Sequence, residues 1–124
     1  MHIHGTIAFT ITERTADRVV ADMPITAGIK NPFGSVHAGA ILWFADVAAT
    51  ALVIGAHPMT EGMTGFPLAI SLNANLLGNQ TEGAFSAVSS FVKRGRTVSV
   101  VRTVVRGAAD KLIADVTTSH VLSK

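Results

Sequence analysis

One carboxylate, Asp46, is the only charge in the apolar stretch Ala38-Gly-Ala-Ile-Leu-Trp-Phe-Ala-Asp46-Val-Ala-Ala-Thr-Ala-Leu-Val-Ile-Gly-Ala56. Nine residues before it stands a histidine, in the segment Asn31-Pro-Phe-Gly-Ser-Val-His37-Ala-Gly39. An ionised carboxylate in apolar surroundings is costly unless it is hydrogen-bonded, paired or neutralised. A fold has little reason to place one there, whereas a chemical site often does. Proton transfer and nucleophilic attack are the work a carboxylate can do, and the search for a function starts at this point.

The elements that must hold these residues follow from size and pattern. A chain of 124 residues corresponds to one domain, 1–124, and 48% of it is hydrophobic against 15% charged. With a mean hydropathy of +0.45, there is more apolar side chain than a monomer of this size readily covers, which points to a subunit interface as well as a core. The net charge of +2 and the lack of aromatic residues interleaved with the basic Lys93-Arg94-Gly95-Arg96 give no case for nucleic acid. With no cysteine there is no disulfide framework, thiol nucleophile or thiolate metal site, and the N-terminus lacks the pattern of a signal peptide, so a cytoplasmic setting is expected. No metal and no cofactor are expected either; on a strand His2 and His4 would share one face but have no carboxylate or cysteine beside them.

The stretch 38–56 approaches the length of a membrane span. However, a charge at its centre costs about 2.5–3.5 kcal/mol on insertion scales, and seven of its nineteen residues are alanine. It is expected to be a buried helix, starting around 36–38 with Ser35 as N-cap and ending near Gly55. Before it, 6–12 and 18–23 read as a hairpin, and 26–36, with Gly28, Asn31, Pro32 and Gly34, as a loop. After it, 59–65 reads as a connection, then 67–77, 83–93, 97–106 and 112–122 as strands separated by Gly-containing turns. In the last of these Leu112, Ala114, Val116 and Thr118 alternate with Ile113, Asp115, Thr117 and Ser119, as on a strand with one buried face. The order is two strands, one long helix and four strands. A helix apolar on all sides must be covered on all sides, which gives an α+β architecture with a curved antiparallel sheet around one central helix and a second copy helping to close it.

The spacing Asn31-x-x-Gly34-x-x-His37-Ala38-Gly39, six further residues and Asp46 resembles the active-site signature of hotdog-fold acyl-CoA thioesterases of the phenylacetate-degradation (PaaI-like) and 4-hydroxybenzoyl-CoA type. The segments 71–77 and Gly95-Arg96-Thr97 resemble that superfamily's strand after the helix and a later turn, so the likeness runs across the chain. It implies hydrolysis of an acyl-CoA to free acid and coenzyme A. Asp46 would be general base or nucleophile and the backbone N–H of Ala38 the oxyanion donor. Asn31 would position the water or leaving group, His37 would hold the loop, and Gly39 would allow close backbone approach. Arg94 and Arg96 would meet the coenzyme A phosphates, a role that suits guanidinium; Trp43 and Ser71 would border the substrate.

Within one helix, Ala38 and Asp46 are about 12 Å apart along the axis, too far to act on one carbonyl. Facing subunits resolve the conflict, and the resemblance implies such a site at a homodimer interface, with dimers expected to pair again into a dimer of dimers. The chain departs from the family pattern at Ala38, where a glycine is usual, and at Ala69 or Ile70, the position where several relatives carry Ser or Thr. Plainer readings stand beside these: Asp46 as a structural carboxylate, His37 and Asn31 as loop formers, Lys93–Arg96 as a solvated turn, Trp43 as core. The alternative for the whole chain is a non-catalytic hotdog module that binds acyl-CoA or only oligomerises. A hotdog hydratase fits less well, because those enzymes pair their acid with a catalytic histidine in a different arrangement.

Overall fold

The computed structural model describes residues 1–55, 62 and 65–122. The elements are β1 (Thr10–Arg14), β2 (Arg18–Pro24), α1 (Ala38–Ile54), β3 (Pro67–Leu76), β4 (Ala84–Lys93), β5 (Val98–Arg106) and β6 (Leu112–Leu122). The expected order of two strands, a helix and four strands is therefore observed. The strands form one antiparallel sheet in the order β1-β2-β4-β5-β6-β3, with α1 on its inner face. The connection expected over 59–65 lies outside the described residues except at positions 62 and 65.

Period-two alternation decides what each strand gives the core. Val19, Ala21 and Met23 of β2, Phe85 and Ala87 of β4, Val101 and Val105 of β5, and Ala114 and Val116 of β6 are all fully buried. Against them α1 sets Ala45, Ala48 and Ala49 together with Ile41, Phe44 and Leu52. Small side chains on both surfaces let the helix lie close to the sheet. The other side of α1 is a half-buried stripe of Leu42, Trp43, Asp46, Val47, Thr50 and Val53. No helix among the described residues is long and apolar enough to cross a membrane.

Two expectations about boundaries change. The first strand runs over 10–14 rather than 6–12. Upstream the chain crosses the loop before α1, where Thr6 N–H donates to the Gly28 carbonyl at 3.1 Å. Both partners of the crossing are glycine for a steric reason: a Cβ on Gly5 would stand 2.7 Å from the Gly28 oxygen, and one on Gly28 would stand 2.6 Å from the Thr6 oxygen. The N-cap is His37, not Ser35, and its side chain makes no capping bond. The Ser35 hydroxyl is drawn back into its own loop, where it accepts from Asn31 Nδ2 at 2.8 Å.

The two sheet edges are unlike. β1 is five residues long, carries Glu13 and Arg14 and is broken by a bulge at Thr12. Such features discourage another strand from adding. β3 is ten residues long without a charge, and it leaves Leu68, Ile70, Leu72 and Leu76 each more than 40% exposed. It too has a bulge, between Ala69 and Ser71.

The turn from β5 to β6 forces Ala109 and Asp110 into left-handed backbone, with φ of 54° and 61°. Asn-Gly suits such a pair, and a side chain with a Cβ is strained there. Asp110→Gly is expected to stabilise the fold by about 0.5–1 kcal/mol, a rise of roughly 2–5 °C in Tm by calorimetry.

Candidate active site

The loop before α1 is built by one asparagine. Asn31 Oδ1 accepts from Phe33 N–H at 2.9 Å and Ser35 N–H at 3.2 Å, while Nδ2 holds the Ser35 hydroxyl. This folds 31–35 into a tight turn and leaves Phe33 90% exposed at its tip. The chain then enters α1 with His37, Ala38 and Gly39 all exposed. The first N–H groups of a helix have no intrahelical partner, and the positive end of the macrodipole adds to them. Here no side chain caps them either, so they remain open to an anion or a polarised carbonyl. A Cβ on Gly39 would meet nothing within 4 Å, so the space above the donors is clear. Ala38 is not among the described residues with positive φ, so replacing the usual glycine costs nothing in backbone strain.

Two turns further along, Asp46 lies on the half-buried stripe with Oδ1 buried and without a hydrogen-bond partner. Beneath it on β6 is a residue the sequence did not single out, His120, which is 1% exposed. Its Nε2 lies 2.8 Å from the Thr118 hydroxyl. Its Nδ1 is the other buried side-chain polar atom without a partner among the described residues. Burial pushes the His120 pKa down, and the neighbouring Asp46 charge pulls partly the other way. A sequence signal for His120 existed: continuing the buried phase of β6 from Ala114, Val116 and Thr118 by one step reaches it.

The depressed pKa has a consequence for stability. The unfolded chain takes up a proton near the ordinary value of 6.5, which folded His120 resists. Its contribution is therefore complete above that value and is lost as the pH falls through it toward the folded pKa. Thermal melts between pH 7.5 and 5 should show a falling Tm in the wild type and a flatter profile in His120→Gln.

The remaining candidates do not all converge. Trp43 packs edge-on against Phe9 at 5.1 Å, and Phe9 in turn packs on Phe44 at 5.0 Å, so the indole is part of an aromatic cluster. Ser71 pairs in register with Ser119 and so faces away from the helix, while Ala69 shares the face of His120. Arg94 lies over the Phe91 ring, with its guanidinium carbon 4.3 Å from the centroid, and donates to the Ala16 carbonyl and, at 3.2 Å, to Asp17. Arg94 and Arg96 help to line a cavity of about 470 Å³ at the C-terminal end of α1, whose walls include Leu52, Phe91, Ser99 and His120. The arginines thus stand at the opposite end of the helix from Ala38. No group of three or more potential metal ligands occurs among the described residues.

A six-stranded antiparallel sheet around one long helix, with an open helix start and a carboxylate at mid-helix, defines a hotdog-fold protein. By sequence the chain belongs to the family described as "Domain of unknown function (DUF4442)", which matches residues 3–73. It is 34% identical over 107 residues to the Bacillus subtilis (strain 168) protein named "Putative esterase ComA2", covering 86% of this chain and 82% of that one. Among solved structures it resembles the thioesterase SAV0944 of Staphylococcus aureus (here a mutant), with a TM-score of 0.84 at 22% identity over 94% of this chain and 93% of that chain. It also resembles the "Hypothetical Thioesterase Protein with Coenzyme A" of Streptococcus pneumoniae TIGR4, with a TM-score of 0.82 at 15% identity over 94% and 86% of the two chains. At these identities the structural likeness establishes the fold.

Proposed function

We propose that this chain is a single-domain cytoplasmic thioester hydrolase that cleaves acyl-CoA to free acid and coenzyme A. The observation that carries the reading is the Asp46 carboxylate, with one oxygen buried and unpartnered, in the same helix as an uncapped, exposed start. The esterase and thioesterase names of the relatives, and the coenzyme A with one of them, support it.

In this reading the thioester carbonyl lies against the N–H groups of Ala38 and Gly39, which stabilise the oxyanion as it develops. Asp46 acts as base, taking a proton from water as the water oxygen attacks the carbonyl carbon, or as nucleophile through a mixed anhydride that water then opens. The C–S bond breaks, the sulfur leaves with a proton as the coenzyme A thiol, and the acid is released. His120 stays neutral; when Nε2 accepts from Thr118, Nδ1 carries the proton and is a donor available to the carboxylate. Asn31 shapes the loop and Arg96 meets phosphate, while Arg94 would have to leave Asp17 to do so.

Because the two ends of the chemistry are separated along one helix, the working unit is a homodimer, with the donor from one subunit and Asp46 from the other. The long uncharged edge of β3 and the half-buried stripe of α1 are surfaces that a second copy would cover. The direct test is turnover of a panel of acyl-CoAs, with the released thiol measured. Saturable release of coenzyme A is expected for at least one acyl class; tight binding without release would instead mark a non-catalytic acyl-CoA-binding module.

A further inference from the structure

The turn between β3 and β4 carries an asparagine whose side chain is committed to the backbone in front of α1. Asn79 Oδ1 accepts from Val36 N–H at 3.0 Å, and Nδ2 donates to the Val36 carbonyl at 2.8 Å. The carboxamide thus pairs with Val36 as a neighbouring strand would. From the opposite side Lys30 forms a bridge with Val36, and His37 N–H donates to the Ile29 carbonyl at 2.9 Å. Val36, 1% exposed, is held from both directions two residues before Ala38.

We propose that Asn79 is a positioning residue for the Ala38 and Gly39 N–H groups: its clamp on Val36 fixes the direction in which the chain enters α1. This rests on the reading of the helix start as the oxyanion donor. With no side-chain cap on α1, the bonds to the residues just ahead act together with the burial of Ala40 and Ile41 to set how the chain enters the helix.

The clamp itself is anchored to β6. Leu77 and Gly78 both donate N–H to the Ile113 carbonyl, at 2.8 and 3.1 Å, and Lys111 Nζ reaches the Asn79 carbonyl at 3.4 Å. A Cβ on Gly78 would stand 2.9 Å from the Leu112 oxygen, which is how the turn comes so near that strand. The helix start and the strand bearing His120 are thereby tied into one frame. An error of about 1 Å in placing a donor can cost on the order of a hundredfold in rate, so such a tie has catalytic weight.

Gln80 supplies the control. It also makes three side-chain bonds to backbone, accepting from Ala108 N–H and donating to the Glu82 and Ala84 carbonyls, yet none reaches residues 29–39. The experiment compares Asn79→Asp with Gln80→Ala. The aspartate keeps an acceptor for Val36 N–H but turns a second oxygen on the Val36 carbonyl. Asn79→Ser, which withdraws the contact without adding charge, guards against a folding defect. Expected for both Asn79 variants are a kcat lower by about 10- to 100-fold with KM within about threefold, and faster amide exchange at His37, Ala40 and Ile41. Gln80→Ala should lose comparable thermal stability with kcat and those amides unchanged. Equal losses of kcat in the Asn79 and Gln80 variants, or unchanged exchange at His37 in both Asn79 variants, would overturn the proposal. If the wild type hydrolyses no acyl-CoA, the thioesterase reading fails by itself, and the exchange measurement alone decides whether the clamp orders the helix start.

Discussion

Asp46→Asn is expected to lower kcat/KM for acyl-CoA hydrolysis by about 10²–10⁴-fold or more, the scale on which a removed base or nucleophile acts. The same substitution should leave Tm unchanged or raise it. The amide has the shape of the carboxylate without its charge, and the wild-type Oδ1 is buried with no hydrogen bond to lose. These two outcomes together separate chemistry from architecture. A carboxylate kept for structural reasons would show the reverse, with Tm falling and rate preserved. A third readout is local: with the Asp46 charge gone, the influence that raises the His120 pKa disappears and burial pushes it further down. Imidazole signals followed by NMR against pH would record the shift. A variant that turns over as fast as the wild type would sink the mechanism whatever its stability.

The second large effect tests the proposed division of the site between subunits. Gly39→Leu places a side chain over the open donors at a helical position where no neighbour lies within 4 Å. Leucine is the better helix former by roughly 0.5–1 kcal/mol, so the fold should tolerate it while the site is blocked. Asp46→Asn and Gly39→Leu homodimers are each expected to be nearly inactive. Mixed, unfolded and refolded together in equal amounts, they form heterodimers in which one site takes its carboxylate from the Gly39→Leu chain and its donors from the Asp46→Asn chain. Half the dimers carry one intact site of two, so about a quarter of wild-type activity should return. Gel filtration of each variant confirms that the oligomeric state is that of the wild type. If both components stay inactive after mixing although heterodimers form, Asp46 and Gly39 do not serve one site across an interface.

How much of this was legible in the chain depends on the range of the interaction involved. The period-two pattern along β6, the Gly-containing turns that bound β4 and β5, and the long apolar run of α1 are local, and each element was readable within a few residues. The strand order was not, because placing β3 beside β6 depends on packing around α1 rather than on any short segment. The start of β1 was misjudged since β-branched residues at 6–12 satisfy strand preference, while the crossing of Gly5 and Gly28 that diverts them is a contact between distant positions. Ser35 has the chemistry of an N-cap but lost that place to a stronger local competitor, the Asn31 side chain. In the site, Asp46 announced itself by its cost. His120 and Asn79 did not, because a histidine on a strand and an asparagine in a Gly-Asn-Gln-Thr turn look ordinary until the residues facing them are known.

The contrast between the two sheet edges bears on how this chain would live before meeting the second copy of the proposed homodimer. β1 carries its own deterrents, whereas β3 presents ten uncharged residues whose free hydrogen-bonding edge is flanked by exposed leucine and isoleucine. Apart from its bulge between Ala69 and Ser71, nothing in that strand distinguishes a correct mate from any other extended segment of similar character. On the proposed homodimer, a newly made chain faces a race between pairing with its own kind and sticking to strangers. Its concentration at synthesis would then bear on which of the two wins.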